Sequence, residues 1–219
     1  KLHIIPNFVD TDIYYPLDPL SLNINKLFFP ETFSLKLMYA GNIGYAQDWQ
    51  LLIKLAEELK NEPIEFFIVG EGVMKEYVKK EKERKGLNMI HLLPYQRREL
   101  MPSLLTYSDI QFIFMSPETE SDGFPSKVYT IMACARPLLV CSGPNTPIVN
   151  FLYDKDCAYI ITEKDTKKKV ENAASILRNI TREDLIKKGR MGYEQIINHY
   201  SKHTITNKYV NLVNKLLDL

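Results

Sequence analysis

The 219-residue sequence has little that would commit it to a specialised environment. Its three cysteines, Cys134, Cys141 and Cys157, are too few and odd in number for a disulfide framework. They lie among apolar residues, as small core side chains in a reducing compartment do. No apolar run approaches the ~20 residues that cross a bilayer. Excess charge is also lacking. The 28 Lys and Arg nearly balance 27 Asp and Glu, for a net charge of +1, so nothing draws the chain to nucleic acid or to an anionic membrane. There is no C-x-x-C pair, no P-loop and no G-x-S-x-G. His199 and His203 stand four apart, but Ser201 between them is expected to break the helix. No third ligand is near in sequence, so no metal site is expected. Internal repeats and low-complexity segments are absent too. The opening, Lys1-Leu2-His3-Ile4-Ile5-Pro6, carries neither an initiator methionine nor a signal-peptide pattern, and is expected to follow a cut inside a longer protein.

What is present is an ordinary globular composition, 45% hydrophobic and 25% charged, in a chain long enough for one sizeable core. Residues 1–30 hold four prolines (Pro6, Pro16, Pro19, Pro30) and read as a short strand, Leu2 to Ile5, followed by a turn-rich linker. Strands are then expected at Ser34–Tyr39, Ile64–Val69, Met89–Leu92, Ile110–Met115, Leu138–Cys141 and Ala158–Ile161. Helices alternate with them. One is capped by Asp48, a charged one runs to about Arg84, and others span Glu99–Tyr107, Asn145–Leu152 and Asp165–Ile180. Thr181 and Asp184 match a capping box for a helix reaching about His199, and Ser201 caps a last helix with the stripe Ile205, Tyr209, Leu212, Val213 and Leu216. That stripe fits docking on this core or on a neighbouring domain. The lysines 164, 167, 168 and 169 read as a solvated helix face. Alternation of strand and helix predicts an α/β fold with a doubly wound parallel sheet of about six strands. Ligands of such sheets sit beyond the carboxyl ends of the strands, where the loops Gly41–Asp48, Pro94–Gln96 and Ser116–Lys127 all fall.

The stretch Ser121-Asp122-Gly123-Phe124-Pro125-Ser126-Lys127-Val128-Tyr129-Thr130-Ile131-Met132-Ala133 carries most of the chemistry. Gly123 suits a tight turn, and Pro125 the first position of a helix. Ser126 and Lys127 then add a hydroxyl and an ammonium to unpaired first-turn amides, which makes a candidate anion site. Gly41-Asn42-Ile43-Gly44 follows a strand as a phosphate-approaching loop would, without the third glycine of the dinucleotide fingerprint. Gly70-Glu71-Gly72 reads as a plain turn, because Glu71 would repel phosphate and position 75 is Lys.

Together with Ile5-Pro6-Asn7-Phe8-Val9-Asp10-Thr11, Tyr39-Ala40-Gly41-Asn42-Ile43-Gly44 and Phe67-Ile68-Val69-Gly70-Glu71-Gly72, this stretch resembles the carboxyl-terminal, donor-binding domain of retaining glycosyltransferases of family 4. The Pro-Ser-Lys form is similar to members that build bacterial capsule, colanic acid or O-antigen (lipopolysaccharide) sugars. The resemblance implies one Rossmann-like half of a GT-B fold, with a linker and entry segment over 1–30, a nucleotide-sugar-binding domain over 31–199 and a C-terminal helix over 200–219. It implies that Gly41, Asn42, Gly44, Ser126 and Lys127 hold the donor diphosphate. Asp122, Gly123, Phe124 and Pro125 would address the donor sugar, with Asp122 and Lys127 assisting the chemistry. Pro94, Tyr95 and Thr130 would meet nucleobase and ribose.

No cofactor is implied: the substrate would be a UDP-sugar or another nucleotide-diphosphate sugar, held without a divalent metal. The implied partners are a missing N-terminal acceptor domain and a lipid-linked saccharide acceptor, with no nucleic acid. The implied setting is the cytoplasm, peripherally at the inner face of the membrane through the full-length protein. The chain departs from the family where two glutamates commonly stand eight apart, here Asp122 and Thr130. It departs again where a loop Arg and Lys are common, here Asn42 and Gln47, which shifts the positive charge to Lys127. Competing functions are a nucleotide-sugar epimerase of the same fold and a non-catalytic nucleotide-sugar-binding module.

Overall fold

The computed structural model describes residues 2–121 and 123–217. Six strands form one sheet: β1 (Leu35–Ala40), β2 (Ile64–Val69), β3 (Ile90–Leu93), β4 (Ile110–Phe114), β5 (Leu138–Cys141) and β6 (Ala158–Ile161). Their order is β3-β2-β1-β4-β5-β6, and every pairing is parallel. The order reverses between β1 and β4, the switch point at which doubly wound sheets open a crevice. Eight helices are described: α1 (Trp49–Glu58), α2 (Lys75–Lys85), α3 (Met101–Tyr107), α4 (Lys127–Ala133), α5 (Pro147–Leu152), α6 (Thr166–Asn179), α7 (Arg182–Gln195) and α8 (Lys202–Leu217).

The strands are near-continuous apolar runs because both faces are covered. Alternate residues of one strand serve opposite layers. On β1, Leu37 and Tyr39 pack beside α1 residues such as Trp49 and Leu52, whereas Met38 packs with Phe29 and Phe67 on the other side. On β5, Leu139 and Cys141 join the first layer, and Leu138 and Val140 join a layer built on Val128, Ile131 and Met132 of α4. All three cysteines are buried and free, and burial raises the thiol of Cys134 to about 12 and that of Cys157 to about 11.

Several sequence expectations change. Leu2–Ile5 is not a strand: residues 2–5 join no ladder among the described residues, and the first pairing there is a single bridge from Val9 to Ser201. Within residues 10–30 the segment packs on the domain, with Tyr14 and Phe29 buried and Phe29 6.2 Å from Phe67, centroid to centroid. Lys169 does not share the solvated face of its neighbours; it is only 5% exposed, because it stands four residues before Ala173 on the inward stripe of α6. The capping box of α7 forms as expected, with Thr181 Oγ1 accepting from the Asp184 amide at 3.1 Å and Asp184 Oδ2 accepting from the Thr181 amide at 3.1 Å. A π-turn at Ile196–Tyr200 and extended Ser201 separate α7 from α8. On α8 only Ile205 is buried; Tyr209 is 51% and Leu216 60% exposed, so the stripe docks on this core at its first residue and is open beyond it. No helix among the described residues is long and apolar enough to cross a membrane.

Candidate functional site

The loop after β1 is pinned at nearly every carbonyl. Ala40 O accepts from Lys127 Nζ at 3.1 Å, Asn42 O from the Tyr39 hydroxyl at 2.6 Å, Ile43 O from the Met74 amide at 2.9 Å, and Gly44 O from the Trp49 indole N–H at 2.8 Å. The Gly41 and Ile43 amides donate to Val69 O at 2.9 Å and Glu71 O at 2.8 Å. The amides of Asn42 and Gly44, between them, have no acceptor among the described residues. A backbone that alternates bonded and free N–H groups at a strand end is a cradle for an anion.

The turn Gly70-Glu71-Gly72 is not a plain turn but the floor of this loop. Gly70 has φ +145°, and a Cβ there would overlap the Gly41 carbonyl oxygen; one at Gly72 would meet the Ile43 carbonyl. Gly41 itself has φ +148°, and a Cβ would stand 2.7 Å from Lys127 Nζ. Two glycine turns therefore nest against each other, a long-range contact that no local spacing reveals.

Lys127 opens α4 on one side of the sheet, but its side chain crosses the β4–β1 switch point. Its ammonium lies 3.6 Å from the centre of the Tyr39 ring, whose hydroxyl burial holds well above the ordinary range, so that it remains a donor. No carboxylate pairs with Lys127 among the described residues. Although the residue is partly exposed, burial of its ammonium pushes the pKa from 10.5 down to about 7. A desolvated amine with no carboxylate partner among the described residues, next to a loop with two amides that have no acceptor among them, is a place an anion can occupy, which would restore the amine's charge.

The α4 start differs from expectation. Pro125 lies ahead of the helix, which begins at Lys127, and the Val128 and Tyr129 amides are already bonded to Pro125 O and Ser126 O at 3.0 and 3.2 Å. Ser126 is exposed and makes no cap. Gly123 has open space where a Cβ would stand, so crowding does not demand glycine there. Phe124 packs 4.9 Å from Phe151 and 5.4 Å from Tyr129, fixing the loop to the layer beneath. Thr130 directs its hydroxyl to Lys127 O at 2.9 Å, back into its own helix. Asp122 lies outside the described residues. Gln47 is buried against Ala46 O and Met115 Sδ.

Beside the cradle is a cavity of about 300 Å³ lined by Tyr14, Ala40, Gly41, Val69, Tyr95 and Arg98, with Gln96 and Met101. It joins two sequence candidates, Gly41 and Tyr95, the latter 68% exposed. Pro94 is exposed one residue away, and Thr130 does not line the cavity. Sequence reasoning missed Tyr14, Tyr39 and Arg98. Arg98 could have been found from its place in a loop after a strand end; Tyr14 and Tyr39 look like core residues in any local window.

The family model "Glycosyl transferases group 1" matches residues 24–191. The Escherichia coli (strain K12) protein WcaI, described as a colanic acid biosynthesis glycosyl transferase, is 31% identical over 109 residues, covering 50% of this chain and 26% of that one. Among solved structures, Anabaena Alr3699/HepE with UDP and glucose superposes with a TM-score of 0.78 at 13% identity, over 97% of this chain and 56% of that one. The C-terminal domain of the Francisella tularensis group 1 glycosyl transferase LpcC gives 0.66 at 15% identity, over 89% of this chain and 99% of that domain. The chain thus spans about a quarter of WcaI and just over half of HepE.

Proposed function

Because the chain belongs to the glycosyl transferases group 1 family, we propose that it is the donor-binding half of a retaining, metal-independent family 4 hexosyltransferase that uses a UDP-sugar. The carrying observation is the Lys127 ammonium, with no carboxylate partner among the described residues, on Ala40 O at the β1–β4 switch point, where the following loop leaves the Asn42 and Gly44 amides without an acceptor among them. In transfer, the bond from the sugar C1 to the diphosphate oxygen breaks and the leaving oxygen gains negative charge. Lys127 and the loop amides are placed to stabilise that charge, the task a divalent ion performs elsewhere. The Tyr14–Tyr95 cavity would take the nucleobase, with Pro94 at its rim; Thr130, whose hydroxyl is turned back to Lys127 O, is not given the ribose; Asp122, Gly123, Phe124 and Pro125 would meet the sugar, and Ser126 would add a hydroxyl to the phosphates. HepE, which carries UDP and glucose, supports UDP as the nucleotide.

The acceptor half would lie outside this chain, covering the open stripe of α8, so the chain alone would not turn over sugar. WcaI supports a role in a bacterial surface polysaccharide, with a lipid-linked saccharide as acceptor at the inner face of the membrane. The test is calorimetric binding of UDP without added metal, paired with Lys127→Ala. The wild type should bind and melt at a higher temperature with UDP, and Lys127→Ala should weaken binding by roughly 1.5–3 kcal/mol. Absence of any shift with UDP in EDTA overturns the reading.

A further inference from the structure

Two aromatic donors hold the phosphate loop from beneath. Tyr39 stands at the end of β1, and Trp49 opens α1, where Asp48 caps the helix by accepting from the Leu51 amide at 2.9 Å. Their rings meet edge to face at 5.2 Å, 83° apart, and both side chains are almost wholly buried. From this pair the Tyr39 hydroxyl reaches Asn42 O at 2.6 Å, and the Trp49 indole N–H reaches Gly44 O at 2.8 Å. A peptide carbonyl that is bonded fixes the plane of its own peptide, and hence the N–H of the following residue. With Ile43 O also taken by the Met74 amide, the 42–43, 43–44 and 44–45 peptides cannot rotate without breaking a hydrogen bond, and the 41–42 peptide, which carries the Asn42 N–H, is held through its neighbours on either side.

We infer that Tyr39 and Trp49 are positioning residues for the phosphate cradle: their hydroxyl and indole N–H hold the Asn42 and Gly44 carbonyls on the core side and so fix the 42–43 and 44–45 peptides, which flank the peptides that carry the Asn42 and Gly44 amides and keep those amides turned out for a nucleoside diphosphate. Tyr39 has a second duty, since its ring face lies 3.6 Å from the Lys127 ammonium. One side chain thus sets both the amide and the cationic half of the site. The inference rests on the proposed donor site for its ligand, but not for the loop's order.

The test compares wild type with Tyr39→Phe and Trp49→Phe, reading UDP affinity, uridine affinity and hydrogen exchange of the Asn42, Ile43 and Gly44 amides in the free protein. Tyr39→Phe keeps the ring under Lys127 and deletes only the hydroxyl; Trp49→Phe deletes the indole donor. Each should weaken UDP by roughly five- to tenfold, the worth of one lost hydrogen bond. Uridine, which lacks phosphates, should bind within twofold of wild type, and exchange of the three loop amides should accelerate. Equal loss for UDP and uridine marks a merely structural role and overturns the inference, as does wild-type UDP affinity in both variants. If wild type binds no UDP, the donor reading falls, and unchanged loop exchange in the variants separately removes the positioning role. Should Trp49→Phe fold poorly, Tyr39→Phe alone decides, because it removes one oxygen atom from the core.

Discussion

Lys127→Met should make the protein more stable and less able to bind UDP. The ammonium is buried on the Tyr39 ring, has one neutral acceptor, Ala40 O at 3.1 Å, and titrates near 7 instead of 10.5. The sign follows from proton counts. Between about 7 and 10.5 the unfolded lysine keeps a proton that the native one has released, so native stability rises with pH across that window. Below about 7 the full cost of the buried charge is present. Taken whole, the shift would amount to roughly 5 kcal/mol. Water at this partly exposed side chain, together with the lost Ala40 hydrogen bond, reduces the realised gain to about 1–3 kcal/mol.

Methionine keeps the stem and discards the charge, so its melting temperature at pH 6.5 should exceed wild type by roughly 2–10 °C. The gap should close as pH approaches 10. Melting curves of both proteins from pH 6 to 10 measure this directly. A variant no more stable at pH 6.5, or a gap independent of pH, refutes the buried-amine argument. UDP should also bind wild type more weakly as pH climbs above about 7, because a neutral amine must take up a proton to meet the diphosphate; Lys127→Met should lose that slope.

Gly70→Ala should cost more than about 3 kcal/mol and abolish UDP binding together, since a Cβ there overlaps the Gly41 carbonyl and the glycine is at φ +145°; denaturant unfolding with calorimetry checks both. Leu216→Lys should leave the stability of this chain within about 0.5 kcal/mol, because the side chain is 60% exposed; a loss above 1 kcal/mol would mean that the stripe of α8 is covered.

The fold was legible because its signals are local. Apolar runs such as Ile64–Val69, the capping box at Thr181 and Asp184, and the regular alternation of strand and helix each declare themselves within a few residues. The same is true of Gly41-Asn42-Ile43-Gly44 and Pro125-Ser126-Lys127 as candidates for phosphate chemistry. Lys169 misled because a run of charges hides helical phase: one of four neighbouring lysines faces inward.

What the amino-acid order determined by itself was the parallel α/β architecture and which loops gather at the carboxyl ends of its strands. Tertiary structure alone decided how those loops are arranged against one another. It laid Lys127 across the switch point onto Tyr39, nested Gly70 under Gly41, and docked α8 on this core only at its start, with Ile205 buried and the later stripe exposed. Hydrophobic periodicity is a property of neighbours in sequence. The pKa of Lys127 on the Tyr39 ring and the bonds of the Ile43 peptide groups to Glu71 and Met74 depend on groups dozens of residues away, brought together only in the folded sheet.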